Sequence, residues 1–338
     1  MLLLATFVFS GCVNQAEVKD GSHVEAAELK ENVNGDLKIS MLRIGQGDAI
    51  LIQTGKQTIL IDTALANKNE LLVKGLEKFS VTRIDKLIIT HPHADHIGGA
   101  RMLLAPKQEE LALYPYLEKI SVGEVYDNGI AHTSGLYKNY LKALKKKGIT
   151  HHSLKTGDVL DFGNGVKFDV LFPTEEFVTT VNTTTFDKED REHNINNGSL
   201  VGKLTYKKFS MMFTGDCEKE SEAKILASNA AKDLKCDVLK SAHHGNKTSS
   251  TEDFVAAVNP SVILISASNR MKDGVLVGQP HLKVIKTYLA AGVAQKNMFC
   301  TRFNGIITVT SDGKNFSVTP EIEEDWVDKW TAHLTKKK

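Results

Sequence analysis

The sequence predicts an α/β fold, organised as one mixed domain in two similar halves rather than as two separated domains. Strand-like runs alternate with helical periods from residue 37 to residue 320, and turn residues lie between them. The composition agrees, because 41% of the 338 residues are hydrophobic and 25% are charged, enough to bury one large core or two medium ones. The formal net charge of +1 provides neither a global basic field toward nucleic acid nor the acidic excess typical of disorder.

The first half of the domain is predicted to begin with strands. Residues 37–44, 49–53 and 58–61 have strand-like patterns and are separated by turn glycines. Residues 69–79 then have the periodicity of an amphipathic helix, and residues 86–90 form a short apolar strand.

The second half repeats this alternation after a helix-rich middle. Residues 137–147 carry apolar side chains on one helical face and lysines on the other, and Gly148 supplies a stop. The polar segment 174–198 has no period, which predicts a long loop of the kind that is often functional. The other predicted strands are residues 159–162, 166–171, 199–206, 210–213, 238–240, 262–266, 305–310 and 316–319, and the other predicted helices are residues 218–230, 252–258 and 282–291.

The N-terminal segment is predicted to lie outside the domain. An apolar run ends in Ser10, Gly11 and Cys12, so residues 1–12 resemble the lipobox signal of bacterial lipoproteins, and residues 13–36 have the composition of a polar tether. The resemblance implies a lipidated Cys12 and an extracytoplasmic, membrane-anchored lipoprotein, with a secreted protein as the alternative. A buried N-terminal strand is the competing interpretation of the apolar run.

The C-terminal segment, residues 321–338, is predicted to be an amphipathic helix followed by a lysine tail. Trp326 and Trp330 lie one helical turn apart within it. From residue 37 onward no segment is apolar enough to span a membrane.

The strongest chemical signal is a cluster of imidazoles and a carboxylate directly after the strand at residues 86–90. His91, His93, Asp95 and His96 fall within six residues, with two glycines close behind that allow close backbone approach. Imidazole and carboxylate together suit zinc, manganese or iron. The four cysteines contain no Cys-x-x-Cys pair, so the sequence offers no thiolate zinc site.

The pattern His-x-His-x-Asp-His followed by Ile-Gly-Gly resembles the signature of the metallo-β-lactamase superfamily. Further motifs match in order: Asp62 after one strand, Asp216 after another, and the pair His243 and His244 after a third. The resemblance implies a four-layer αβ/βα sandwich, in which two mixed sheets are flanked by helices. It also implies that Asp62 holds the histidine loop.

One histidine of that superfamily pattern is replaced. The position just before the strand at residues 199–206 holds Asn196, and the nearby His193 falls outside the match. Together with the motifs that begin at Gly45 and Leu239, this resembles the hydrolase domain of ComEC-type competence proteins and their stand-alone relatives, over about residues 37–319.

The resemblance implies two divalent metal ions, with zinc expected first and manganese second. His91 and His93 are assigned to the first metal and Asp95 and His96 to the second, with Asp216 bridging the two. We expect His243 to complete the second site, although His244 remains the alternative. The residue of the pair that is not a ligand would then face the substrate. The expected catalytic residues are Asp95, His244 and Asn196.

Several further residues are expected near the site. Lys247, Thr248 and Ser249 follow the histidine pair and are candidates for binding a phosphate oxygen, with exposed loop positions as the alternative. His281 is a looser candidate for lining the site. Asp48 is expected to hydrogen-bond the metal-site loops or to cap a turn.

The leading functional hypothesis is phosphodiester hydrolysis, on nucleic acid or on a phosphodiester of the cell envelope. The alternatives are hydrolysis of a carboxylic ester, lactone or lactam by the same fold, and a weakly active metal-fold binding protein. The branches that hydrolyse lactams and lactones usually keep the histidine that Asn196 replaces. No protein partner is predicted, and a membrane is a partner only through Cys12.

Overall fold

The computed structural model describes residues 28–228, 233–268, 270–272 and 275–336. The predicted lipoprotein signal at residues 1–12 and most of the predicted tether lie outside these described residues. Among the described residues, no helix is long and apolar enough to cross a bilayer.

One of the two inner layers of the fold is a mixed sheet. Among the described residues it has nine strands, in the order β1-β18-β17-β2-β3-β4-β5-β6-β7. Its short first strand pairs with the last one, so the polar segment after residue 12 already joins the sheet at Glu28. The strands are β1 (Glu28–Leu29), β2 (Leu37–Met41), β3 (Ile50–Gln53), β4 (Thr58–Ile61), β5 (Arg83–Ile89), β6 (Ser121–Asp127), β7 (His151–Ser153), β17 (Ile307–Ser311) and β18 (Asn315–Pro320).

The second sheet has seven strands in the described part of the chain, in the order β16-β13-β12-β11-β10-β9-β8, and a separate hairpin joins β14 to β15. These strands are β8 (Val159–Asp161), β9 (Val166–Phe172), β10 (Val201–Tyr206), β11 (Phe209–Phe213), β12 (Val238–Lys240), β13 (Val262–Ile265), β14 (Arg270–Lys272), β15 (Val275–Val277) and β16 (Met298–Cys300).

The helices cover the outer faces of both sheets. They are α1 (Asn69–Lys78), α2 (Ala94–Ile97), α3 (Ala100–Leu104), α4 (Gln108–Leu113), α5 (Gly135–Lys147), α6 (Glu175–Thr183), α7 (Lys188–Asn197), α8 (Lys219–Ala227), α9 (Glu252–Val258), α10 (Leu282–Ala290), α11 (Thr301–Asn304) and α12 (Val327–Thr335). With the two sheets between them, these helices complete the four-layer αβ/βα sandwich that the sequence predicts.

The alternation of apolar residues along the strands builds three core layers. Ile59 and Ile61 of β4 face the core between the sheets, whereas Leu60 faces the helices packed on the first sheet. In β13, Leu264 lies in the shared core and Ile263 in the layer beneath the helices of the second sheet. Strands buried on both faces are continuous apolar runs for this reason.

The structure contradicts the prediction of a long loop over residues 174–198. Two helices, α6 and α7, occupy this segment, and each begins at a side-chain cap: Thr174 accepts from the amide of Phe177, and Asp187 from that of Asp190. The caps were visible in the sequence, but α7 is polar on most of its surface, so it lacks the apolar period on which the prediction depended.

The C-terminal helix α12 packs against the second sheet as part of the domain. Trp326 and Trp330 are buried, and their indole N–H groups donate to the carbonyl oxygens of Met298 (2.9 Å) and Pro280 (2.8 Å). The amphipathic pattern of residues 321–338 therefore marks a layer of the sandwich.

The topology brings the chemical motifs to one edge. Strands β4 and β5 are parallel in the first sheet, and β11, β12 and β13 are parallel in the second. Asp62, Thr90, Thr214 and Ser241 each follow the carboxyl end of one of these strands, where ligands bind in open α/β sheets.

Candidate metal centre

The histidine loop leaves β5 at Thr90 and turns directly into the short helix α2. His91 is fully buried, and its Nε2 lies 3.1 Å from Nδ1 of His93, so these two ring nitrogens can reach a common ion. The other nitrogen of each ring lies close to an oxygen atom. Nδ1 of His91 lies 3.1 Å from the Thr90 hydroxyl and 3.2 Å from that of Ser199, and Nε2 of His93 lies 2.7 Å from Glu192.

Asp62 holds the histidine loop, as the superfamily resemblance implies. Its carboxylate accepts from the amide of Thr90 and from the hydroxyl of the same residue, both at 2.7 Å, and its Oδ2 lies 2.7 Å from Nδ1 of His96. Asp62 is fully buried and has a φ of 60°, a left-handed conformation that Asp and Asn adopt more readily than most residues. This backbone conformation directs the carboxylate of Asp62 toward the histidine loop.

A second group of ligands lies beside the first. One side-chain atom from each of Asp95, His96, Asp216 and His244 falls within 4.8 Å of all the others. The Oδ2 atom of Asp216 is 3.2 Å from Nε2 of His96 and 3.2 Å from Nε2 of His244. Oδ2 of Asp95 is 3.4 Å from the same nitrogen of His244.

The geometry favours His244, the alternative of the predicted pair, over His243 as the ligand of the second metal. His244 is fully buried and belongs to the four-residue group, whereas Nε2 of His243 is 3.8 Å from Oδ2 of Asp216 and its side chain is partly exposed. Both residues have positive φ angles, 49° and 57°, so adjacent side chains leave the chain in different directions. His244 is therefore the better placed of the two for the second ligand group, and the partly exposed His243 for contact with a substrate.

The orientation of the imidazoles tests whether these residues suit a metal. In His96 and His244 one nitrogen is held, by Asp62 at 2.7 Å and by the carbonyl of Ser266 at 3.1 Å. Their Nε2 atoms, and Oδ1 of Asp216, are buried without a hydrogen-bond partner in the described structure. Ligand histidines in metalloproteins are fixed in this way through the other ring nitrogen. The donor set therefore fits divalent ions such as zinc or manganese.

The charges of the group support one another. Burial favours a higher pKa for Asp216, but the positive charges of His244 and His96 outweigh burial and hold that pKa well below its usual value. Burial acts in the opposite sense on the two imidazoles, yet Asp216 raises the pKa of His96 and of His244 well above the usual value. A divalent ion would replace these protons as the counter-charge of the carboxylates.

A buried cation, which no sequence motif indicates, lies beneath the centre. Lys240, the last residue of β12, is 1% exposed, and its ammonium group contacts Oδ2 of Asp48 (2.5 Å) and donates to the carbonyl of Gly215 (2.7 Å). The opposite oxygen of Asp48 lies 3.5 Å from Nδ1 of His244. Asp48 therefore supports the metal-site loops, as expected, and it does so as the partner of Lys240.

A cavity of about 550 Å³ opens beside the first ligand group. Its lining includes His193, Asn196, Glu218, His243 and Thr248. Asn196 donates to Oε1 of Glu218 (3.3 Å), while its own Oδ1 is buried without a partner in the described structure. His193 lies on α7 with its ring 2.8 Å from Glu218, so it faces the cavity without joining the ligand groups.

Glu218 is the second residue of the centre that no sequence motif indicates. Its carboxylate lies 3.2 Å from Nδ1 of His243 and accepts from the hydroxyl of Thr248 at 3.1 Å. It follows Asp216 by two residues, and no spacing rule in the sequence would have assigned it. In the structure it fixes the ring of His243 on the cavity wall.

The predicted substrate-binding residues divide into two kinds. Thr248 lines the cavity, and His281 lies near enough to Lys247 and His243 that their charges, after burial, lower its pKa. Lys247 is exposed and lies outside the described lining of the cavity. Ser249 also lies outside that lining, is buried and donates to the carbonyl of Cys217 (2.8 Å).

Comparisons with known proteins identify the family of the chain. The family model described as "Metallo-beta-lactamase superfamily" matches residues 42–267. ComE operon protein 3 of Bacillus subtilis is 30% identical over 267 residues, which are 74% of this chain and 30% of that protein. Recombination protein 2 of Haemophilus influenzae is 29% identical over 235 residues, or 68% of this chain and 24% of that protein.

The chain thus spans less than a third of the length of these two curated relatives. Among solved structures, the metallo-beta-lactamase fold protein YhfI from Bacillus subtilis covers 81% of this chain and 100% of its own, with 13% identity and a TM-score of 0.48. The predicted resemblance to competence proteins is confirmed by the sequence matches.

Proposed function

The chain belongs to the metallo-β-lactamase superfamily of hydrolases, and on this premise we propose that it is a phosphodiesterase that works with two divalent metal ions. His91 and His93 would hold the first ion, and Asp95, His96 and His244 the second, with Asp216 shared between them. Two ions bound side by side activate a water and stabilise both the attacking and the leaving oxygen of an in-line displacement at phosphorus.

The observation that carries the proposal is Asn196 on the wall of the cavity. The superfamily pattern has a third imidazole at this position, whereas the amide of Asn196 donates to Glu218 and its Oδ1 is buried without a partner in the described structure. The first site is therefore held by fewer strong protein ligands and stays open toward the cavity. An open site of this kind has room for a non-bridging oxygen of a phosphodiester.

The imidazole of His243 is the proposed hydrogen-bond donor or general acid. Its Nδ1 is fixed by Glu218 at 3.2 Å, and its Nε2 faces Oδ2 of Asp216 at 3.8 Å on the cavity wall. A ring held in this way can donate a hydrogen bond from Nε2 to a phosphate oxygen or deliver a proton to the leaving oxygen. We assign the fully buried His244 to the second metal and the donor role to His243.

The relatives indicate which phosphodiester to test first. Recombination protein 2 of Haemophilus influenzae and Competence protein ComA of Neisseria gonorrhoeae, which is 26% identical over 225 residues, have names that refer to processes involving DNA. The superfamily match over residues 42–267 spans the whole candidate centre. We therefore propose nucleic acid as the first substrate and a phosphodiester of the cell envelope as the second.

The test is a substrate panel with the purified full chain after addition of zinc or manganese. We expect hydrolysis of bis(p-nitrophenyl) phosphate and of plasmid DNA or p-nitrophenyl phosphorylcholine, and loss of activity by at least about 100-fold in His93→Ala. The exposed His152, which stacks on Tyr126 away from the centre, gives a matched control variant, His152→Ala. Turnover of the lactam nitrocefin alone would instead support the alternative hydrolase, and full activity in His93→Ala would remove the metal assignment.

We also propose that the protein is held at the outer face of a membrane through Cys12. This rests on the sequence of residues 1–12, which lie outside the described residues. Incorporation of labelled palmitate into the wild type, and its absence in Cys12→Ser, is the expected result; equal labelling of both would contradict it.

A further inference from the structure

A cationic groove shares no lining residue with the cavity that Asn196 lines. It encloses about 530 Å³, within the usual range of small-molecule sites, and it is lined by Arg43, Lys68 and Arg302 together with Gly45, Gln46 and Ser268. We propose that this groove binds a second phosphate of the substrate, adjacent along the chain to the phosphate that is cleaved.

Both walls of the groove lead directly into the ligands of the second metal. On one wall Gly45 and Gln46 precede Gly47, which packs so closely that a Cβ atom there would lie 2.0 Å from the carbonyl oxygen of Asp95. On the other wall Ser268 follows Ser266, whose carbonyl contacts Nδ1 of His244 at 3.1 Å.

The two walls are also joined at their inner ends, since the hydroxyl of Ser266 donates to the carbonyl of Gly47 at 2.6 Å. Gly45 lies two residues from Gly47, and Ser268 two residues from Ser266, so at most about 7 Å of chain separates each wall from a residue that contacts the second ligand group. The groove therefore adjoins the centre.

Contacts with neighbouring residues fix the positions of Lys68 and Arg302. The side chain of Lys68 lies across Gly45, with its Cε 3.4 Å from where a Cβ would be; Gly45 has a φ of 82°. Arg302 is 4% exposed, donates to the carbonyl of Gln279 (2.9 Å) and stacks on the ring of Trp330 at 4.1 Å. Arg302 therefore adds a fixed positive charge to the groove, while Lys68 and the exposed Arg43 are the cations that a phosphate can reach.

The groove has no acidic residue in its described lining. Glu321 is near enough to Arg43 for their charges to interact, but its carboxylate is bound by Lys78 (2.7 Å) and by the amide of Ile306 (3.1 Å). The groove is therefore a site of net positive charge beside the proposed phosphodiesterase centre.

The cavity that Asn196 lines is acidic, whereas the groove is cationic. Glu189, Glu192 and Glu218 line it, with Lys188 as the one lysine or arginine in its described lining. A chain of phosphates leaving the centre would be repelled by these carboxylates and attracted toward the cationic groove. This inference rests on the proposed function and narrows its substrate class to a polymer of repeating phosphodiesters, as opposed to an isolated diester.

The test compares ligands that differ by one phosphate. Isothermal titration calorimetry of the full metal-loaded chain would measure thymidine 5′-phosphate against thymidine 3′,5′-bisphosphate, and glycerol 3-phosphate against glycerol 1,3-bisphosphate. We expect each bisphosphate to bind about tenfold more tightly than its partner, the effect of one charge-assisted phosphate contact. A larger gain in the thymidine pair would indicate nucleic acid, and a larger gain in the glycerol pair would indicate a polyol phosphate of the envelope.

The variant Lys68→Gln should reduce this preference about fivefold, and it should weaken the salt dependence of bisphosphate binding. Lys167→Gln, at an exposed position on β9 away from the groove, is the matched control and should keep the preference. Equal affinities of mono- and bisphosphates, or an unchanged preference in Lys68→Gln, would overturn the subsite. Failure to hydrolyse bis(p-nitrophenyl) phosphate would instead contradict the proposed phosphodiesterase, and the binding comparison would still decide on the groove.

Discussion

Asp62→Asn changes one atom of the carboxylate that holds the histidine loop. Asn tolerates the left-handed φ of 60° at this position, so the backbone cost that Ala would add is avoided. The new amide oxygen can still accept from the Thr90 amide, whereas the amide nitrogen cannot accept from Nδ1 of His96. The ring of His96 must then carry its proton on Nε2 or turn away from the centre.

The size of the effect follows from the contacts that are lost. In the wild type Oδ2 of Asp62 meets Nδ1 of His96 and the hydroxyl of Thr90, each at 2.7 Å, with all three residues buried. Loss of the group that orients a ligand histidine lowers metal affinity about 10–100-fold, or about 1.4–2.7 kcal/mol. Loss of the charged hydrogen bond lowers the free energy of unfolding of the metal-free protein by about 1.5–3 kcal/mol.

Calorimetric titration with zinc measures the first quantity and urea unfolding the second. Asp85→Asn is the matched control, because Asp85 also accepts from a backbone amide, that of Thr58 at 2.8 Å, in the same sheet but outside the centre. The control should bind two metals with wild-type affinity. Unchanged affinity for both metals in folded Asp62→Asn would refute the claim that Asp62 orients a ligand.

Three further predictions address the ligand pair, the substituted position and pH. His244→Ala should lose the second metal, whereas His243→Ala should keep both and lower kcat about 100-fold, as metal analysis and hydrolysis of bis(p-nitrophenyl) phosphate will show; the reverse pattern would restore the sequence-based assignment. Asn196→His should tighten the first metal at least about tenfold in calorimetric titration, and no change would mean that this position does not face the metal. The hydrogen bond to Asp127 raises the pKa of His151, so the bond stabilises the fold fully below the unfolded pKa of about 6.5 and ceases to do so as pH rises through the raised value. His151→Gln should therefore lower the free energy of unfolding by up to about 1 kcal/mol at pH 5.5 and by less at pH 8.5, and an equal loss at both values would contradict the pairing.

Most of the fold could be predicted because its signals are local. The apolar runs at β4 and β13 show strands buried on both faces, the apolar period indicates α1, and a period with caps at Ser134 and Gly148 indicates α5. Helix α7 could not be predicted from periodicity, because Ile195 is one of few apolar residues on it. Its caps and its packing beside α8 define it instead.

The candidate site was predictable where its residues are contiguous in sequence. His91, His93, Asp95 and His96 occupy one loop, so a single motif places them together. Lys240 and Glu218 act only through partners that the fold brings close, and no spacing in the sequence indicates them.

The choice between His243 and His244 depended on backbone geometry. His243 and His244 both have left-handed φ angles, which decide the side of the chain on which each ring lies. Residue types alone do not reveal such a turn. The structure settles which ring is buried beside Asp216.

The most direct test of the central claim is a titration of metal-depleted protein with manganese or zinc, in which bound metal and hydrolysis of bis(p-nitrophenyl) phosphate are followed together. The structure predicts two bound equivalents and a rate that reaches its maximum only as the second is filled. Hydrolysis that persists in metal-depleted protein, or two bound metals with nitrocefin as the only substrate turned over, would contradict a dinuclear phosphodiesterase.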